Sequence, residues 1–188
     1  MTIYIWVVVA CWAAFIIYWA ISWTGTKRTV GISGFKGWFA TRIVLIVIVV
    51  IILSNQGSKN WALQHFSATT PSLAPLGALL AIIGIGIAIW ARRYLGKNWG
   101  TPQSVKENPE LVTTGPYVYI RHPIYSGVLL AMIGTALVTA AIWFVILVIA
   151  AGYFIYSAYQ EQKLMLKTFP DTYPAYKART KMLIPFVF

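Results

Sequence analysis

The stretch PIYSGVLLAMIGTALVTAAIWFVILVIAAGYFIYSAYQ, Pro123–Gln160, decides the fold. It runs for 38 residues without a charge. A helix needs about 20 apolar residues to cross roughly 30 Å of hydrocarbon, so this stretch is too long for one span and suits two. Thr139 and its alanine neighbours mark a tight apolar turn between them. Pro123 opens the first helix, because a proline at the first helical position sacrifices no hydrogen bond. The whole segment therefore reads as a helical hairpin held in a bilayer.

Moving outward, Ile3–Trp23 is a further uncharged run of spanning length. It lacks a basic leader and is longer than the roughly 7–15 residues of a signal core, so a retained helix is expected. Phe39–Leu53 is shorter; Arg42 can snorkel and Trp38 can anchor it. Leu73–Trp90 ends at Arg92 and Arg93. The expectation is an all-α integral membrane protein with five transmembrane helices in a single domain, residues 1–188. Residues 1–90 supply three helices. Residues 91–188 supply a catalytic part, with a polar loop (91–122), the hairpin (123–160) and a tail (161–188).

Charge supports that count. Hydrophobic residues make up 59% of the chain and charged ones 10%, with a mean hydropathy of +0.72, which excludes a soluble domain. Fourteen of the fifteen lysines and arginines fall on one side of a five-span arrangement, and only Lys59 on the other. The positive-inside rule then puts the N-terminus outside and the C-terminus in the cytoplasm, the cytoplasmic membrane in a prokaryote. The net charge of +11 is accounted for by this pattern, and with no reader motif it does not imply nucleic acid. Nine Trp and eleven Tyr suit membrane interfaces. The single cysteine, Cys11, allows no internal disulfide and no cysteine-cluster metal site; no metal is expected. Gly127, Ala131, Thr135 and Thr139 recur every four residues and read as a close-packing stripe.

The chemistry concentrates at GPYVYIRHPIYSG, Gly115–Gly127, where a turn, tyrosines, Arg121 and His122 meet the start of the hairpin. Ionisable groups at such a boundary mark a functional site by default. Glu161, the first charge after the uncharged stretch, is read as a helix-end carboxylate. The dipole disfavours it there, so a cationic ligand is the economical explanation. All four acidic residues lie in segments assigned to the cytoplasmic side. The ending MLIPFVF reads as an interfacial tail that also covers the site. No Ser-His-Asp set, phosphate-binding loop or HExxH is present. Histidine, carboxylate, tyrosines and backbone amides instead suit a zwitterionic, cationic cofactor, with an apolar substrate arriving from the membrane.

From about Ala88 to Phe188 the chain resembles the isoprenylcysteine carboxyl methyltransferase family, in particular its short prokaryotic members. RRYLGKNW (Arg92–Trp99), ELVTTGPYVYIRHPIYSG (Glu110–Gly127), Glu161 with Leu164, and FPDTYPAYKARTKMLIPF (Phe169–Phe186) carry the likeness. The resemblance implies S-adenosylmethionine as cofactor, released as S-adenosylhomocysteine. It places the cofactor on Gln103, Pro109, Glu110, Leu111, Val112, Tyr117, His122, Pro123, Ile124, Tyr125 and Glu161. It implies catalytic roles for His122, Arg121, Tyr125 and Glu161. The implied acceptor is lipophilic, most simply a prenylcysteine carboxylate; a phospholipid amine is the alternative, and an NADPH-dependent sterol reductase is a third reading. Two positions depart from the family. Gln162 stands where a second carboxylate is common, and Ser157 where eukaryotic relatives carry a substrate-contacting arginine.

Overall fold

The computed structural model describes residues 2–32, 71–101, 104–139 and 142–188. The span expected at Phe39–Leu53, Lys59 and Gln103 lie outside these residues. The elements are α1 (Thr2–Trp23), β1 (Thr29–Ile32), α2 (Ala74–Leu95), β2 (Ser104–Lys106), α3 (Pro123–Val138), α4 (Ile142–Thr168) and α5 (Tyr173–Arg179), with short 3-10 turns at Pro71–Leu73, Gly96–Asn98 and Gly115–Val118.

Among the described residues three helical stretches are long and apolar enough to cross a membrane: Ile3–Trp23, Pro71–Asn98 and Trp143–Thr168. The hairpin is present, with α3 ending at Val138 and α4 starting at Ile142. However, α3 has 16 residues. At 1.5 Å per residue it extends about 24 Å, short of a full crossing, so the expected fourth span is a shorter apolar helix.

The small-residue stripe does pack helices. An added Cβ on Gly84 of α2 would lie 2.5 Å from the carbonyl oxygen of Gly127 and from the amide of Ala131 on α3. Ala81, Ala88 and Ala131 on the two facing surfaces are fully buried. Without side chains in the way the backbones approach closely, and dispersion replaces the hydrophobic drive that lipid cannot supply. Helix α1 joins through Val8 and its neighbours, packed on Ala78, Ala81 and Val138. Trp12 Nε1 donates to Thr135 Oγ1 at 3.0 Å. Thr135 thus belongs to the packing stripe and also ties α1 to α3.

The ends of α1 and α2 are tied by Arg92. It is only 2% exposed, and its guanidinium donates to the carbonyls of Ser22 at 2.5 Å and Gly96 at 2.8 Å. It also lies over the Trp99 ring. Buried in this way, Arg92 caps carbonyls at the ends of α1 and α2, where intrahelical partners run out.

Three features depart from the sequence reading. First, β1 and β2 form a two-stranded antiparallel pair with a register irregularity between Thr29 and Gly31, an element absent from the all-α expectation. It joins the loop after α1 to the loop after α2, so both lie on one side of the bundle. Second, the polar loop begins later than residue 91, because α2 and its 3-10 extension run to Asn98. Third, α4 continues to Thr168. Glu161 is therefore an interior helical residue, two turns before the end. Gln162, Lys163, Leu164, Met165 and Lys167 all propagate helix well, so leaving the apolar stretch does not end it. The dipole argument for Glu161 falls; what surrounds its carboxylate decides its role.

Candidate active site

Three segments of polar chain meet above α3 and α4. The Gly115–Val118 turn requires glycine at its start: Gly115 has φ 60°, and a Cβ there would press into the Tyr94 ring. Tyr117, in the same turn, is buried, and its carbonyl accepts the Tyr176 hydroxyl of α5 at 2.8 Å. The tail then runs beside the motif. Arg121 N donates to Lys181 O at 2.8 Å, His122 N to Met182 O at 3.1 Å, and Lys181 N to Tyr119 O at 3.3 Å. Ser126 Oγ donates to Leu183 O at 2.6 Å. The backbone groups before a proline-initiated helix would otherwise face one another without partners; here the tail supplies them.

At the centre lies Glu161. Its carboxylate accepts the Tyr125 hydroxyl at 2.5 Å, and its second oxygen is 3.2 Å from His122 Nδ1. The His122 and Tyr125 rings stack at 5.4 Å with planes 5° apart, and Phe154 of α4 also stacks on Tyr125, at 4.7 Å. The His122 side chain is only 9% exposed, and Nε2 has no hydrogen-bond partner within the protein. A ring carrying its one proton on Nδ1, toward Glu161, would keep its lone pair on Nε2.

A cavity of about 450 Å³ opens on this group. Its lining includes Pro109, Glu110, Leu111, Val112, Tyr117, Arg121, His122, Ile124, Tyr125 and Glu161. Those residues were expected from the sequence, and the fold gathers them around one space. Pro123 is not in the lining; it is fully buried and starts α3.

Arg121 borders the cavity, but its guanidinium is turned to the tail. Nη1 donates to the carbonyls of Thr180 and, at 3.2 Å, Lys177; Nη2 lies 3.5 Å from Gln162 Oε1. These contacts make it a clamp on the tail. Gln162 is thus buried beside Arg121, while Ser157 is buried with an unpartnered hydroxyl.

Several lining residues were not singled out by sequence. Phe15 and Trp19 come from α1, and Tyr153 and Phe154 from α4. Nothing in their apolar context separates them from lipid-facing neighbours. Asn98 and Lys27 matter through Glu110. Asn98 Nδ2 and Lys27 Nζ both donate to its carboxylate, at 3.1 and 3.0 Å, and together hold it below the usual carboxylate range. Asn98 lies inside the RRYLGKNW string; Lys27 had no signal beyond its loop. Burial lowers the Lys106 ammonium, with Arg92 adding to the effect. Burial also raises the Tyr117 and Tyr176 phenols and pushes Tyr173 up to about 12. Among the described residues no group of three His, Cys, Asp or Glu is placed to hold a metal ion.

The family profile described as phospholipid methyltransferase matches residues 73–172, which hold α2, α3, α4 and all the expected site residues. The chain belongs to this family. Together with its long apolar helices, this makes it an integral membrane protein of a methyltransferase family. It is also similar to the nickel-cobalt-cadmium resistance protein NccN of Alcaligenes xylosoxydans xylosoxydans, at 29% identity over 143 residues, 75% of this chain and 62% of that protein. The cobalt-zinc-cadmium resistance protein CzcN of Cupriavidus metallidurans is 28% identical over 143 residues, 74% of this chain and 61% of that protein. The chain thus spans about three-fifths of the length of the curated relatives it matches.

Proposed function

We propose that the protein transfers a methyl group from S-adenosylmethionine to a membrane-embedded acceptor, in the first place the carboxylate of a prenylated cysteine. The observation that carries this is one cavity with two characters. The His122–Tyr125–Glu161 group forms a polar end, and Phe15, Trp19, Val128 and Phe154 contribute apolar wall from helices that run into the bilayer. Its volume lies within the roughly 300–1,000 Å³ of small-molecule sites.

The residues suit the cofactor. One Glu161 oxygen accepts from Tyr125 and the other faces His122 Nδ1; both retain lone pairs, so the carboxylate can still receive an ammonium. Leu111 and Val112 offer apolar surface for adenine, and the orphaned His122 Nε2 awaits a polar partner. When bound, the cofactor supplies an electrophilic methyl sulfonium. An acceptor carboxylate is already anionic at neutral pH and needs no general base. The protein's part is to align the acceptor and exclude water. Tyr125, stacked with both His122 and Phe154, fixes the polar end, while the tail clamped by Arg121 closes over it.

A second reading has its own observation. Glu161 lies 3.2 Å from His122 Nδ1; with the proton on that nitrogen, Nε2 would keep its lone pair, the arrangement of an oriented base. A phospholipid amine requires such a base before it can be methylated, so phosphatidylethanolamine is the alternative acceptor. The family match favours either over a nicotinamide-dependent reductase. We further propose the five-span topology, with the bilayer thinned around the short α3 and this site on the cytoplasmic side, as the distribution of lysine and arginine supports. What NccN and CzcN are named for is left to those proteins.

The test is methyl transfer from labelled S-adenosylmethionine to a panel containing a farnesylcysteine and phosphatidylethanolamine, in lipid nanodiscs. Label on the farnesylcysteine supports the first reading and label on the phospholipid the second. Transfer to neither, with no S-adenosylhomocysteine binding, overturns both.

A further inference from the structure

The last five residues form a closed apolar turn. Leu183 N and Ile184 N both donate to Phe188 O, and Phe188 N returns to Ile184 O at 3.0 Å. Within it Phe186 adopts φ 65°, a left-handed conformation that glycine or asparagine normally supplies. The result is to project the side chains outward: Phe186 is 85% exposed, Val187 73% and Ile184 53%. A strained backbone that exposes three large apolar groups is unfavourable in water.

The turn's position shows what faces it. Immediately before it, Leu183 O receives Ser126 Oγ from the first turn of α3, past the proline that starts the apolar helix. Met182 and Leu183 pack on Ala158 and Ile155, which precede the first charge of α4. The tail therefore re-enters the level of the apolar helices after leaving it at Glu161. Lys177, Arg179 and Lys181, all exposed, stand just before this re-entry and form a cationic edge.

We propose that the Ile184–Phe188 turn is a membrane-interface anchor, with Phe186, Val187 and Ile184 in the headgroup–acyl boundary of a bilayer and Lys177, Arg179 and Lys181 on anionic headgroups. Apolar groups with basic neighbours are the pattern of interfacial attachment, and burial of several ångströms is enough for it. The anchor is tied directly to the site, since Arg121, His122 and Ser126 all bond to Lys181–Leu183. Lipid contact thus holds the strip of backbone behind His122 in place, whichever acceptor the site takes.

The experiment places a nitroxide at Phe186→Cys in a Cys11→Ala background, in nanodiscs containing phosphatidylcholine and phosphatidylglycerol. Val187→Cys provides a second site should the first disturb the turn, and the exposed Asp171→Cys the aqueous control. At 186 and 187 collisions with oxygen should exceed, and collisions with a water-soluble nickel chelate fall several-fold below, those at 171. Replacing phosphatidylglycerol with phosphatidylcholine should make the nickel chelate more able to reach both sites. Nickel collisions equal to those at 171 overturn the proposal. So does protection from both reagents, which would report contact with a second copy of the chain or another protein.

Discussion

Replacing Glu161 with glutamine separates a ligand-holding carboxylate from one that merely marks a helix. In the folded protein the carboxylate accepts from Tyr125 at 2.5 Å and faces His122 Nδ1 at 3.2 Å. An amide keeps one acceptor oxygen and turns an NH2 toward the other donor. Whichever way it rotates, the negative charge offered to an ammonium is lost. A hydrogen bond to a charged group contributes about 1.5–3 kcal/mol. At about 1.4 kcal/mol per decade, S-adenosylhomocysteine affinity should fall roughly ten- to 150-fold. Tyr125→Phe acts through the same carboxylate. The double variant should therefore lose less than the sum of the singles, with a coupling of about 0.5–3 kcal/mol. Calorimetric titration in nanodiscs reads the affinities, and thermal unfolding checks that the helices persist. Unchanged affinity in a folded Glu161→Gln protein would refute the assignment; strict additivity with Tyr125→Phe would refute the shared mechanism.

The remaining predictions test packing, protonation and topology. Gly127→Ala brings a Cβ within 2.5 Å of the Gly84 carbonyl and should lower stability by about 1–3 kcal/mol, the usual cost of overpacking, seen as a lower midpoint in detergent unfolding; an unchanged midpoint would show that α2 and α3 separate freely. Free phenols titrate near 10, whereas burial pushes Tyr173 up to about 12, with Arg121 offsetting and Glu161 adding to the shift. The folded state therefore holds protons that the unfolded state has released, so the contribution is intact below pH 10 and lost as pH rises toward 12. Phenolate absorbance of the native protein minus that of Tyr173→Phe should show this late titration, and a component near 10 would contradict it. Cysteines at Lys59 and at the exposed Glu107, in the Cys11→Ala background, should label from opposite faces of sealed vesicles; same-side labelling would remove the five-span proposal.

Much of the helical frame was legible in the sequence because hydropathy and length are local properties. The uncharged runs at Ile3–Trp23 and Pro123–Gln160 require helices in lipid, where each backbone group must find its partner within its own segment. The Thr139 turn and the small-residue stripe on α3 likewise follow from composition. The membership of the cavity was legible through the family resemblance: the motif around His122, the Pro109–Val112 segment and Glu161 could be named from the matching strings, and they line one space. Sequence could not say how they meet. Glu161 is 36 residues from Tyr125, and its bond depends on the relative rotation of α3 and α4, which the packing along those helices decides. Reading it as a helix terminus failed because charge marks the edge of the lipid, while the helix ends only where its own hydrogen bonding stops. Arg121 looked like a site cation by position and became a clamp because the carbonyls of Lys177 and Thr180 were brought beside it. The Thr29–Lys106 strand pairing, the Lys27–Glu110 ion pair and the Trp12–Thr135 bond join residues 77 to 123 positions apart. No local pattern announces such partners. They exist because close packing of glycine and alanine surfaces sets where each helix ends, and buried polar groups then bond to whatever lies within reach.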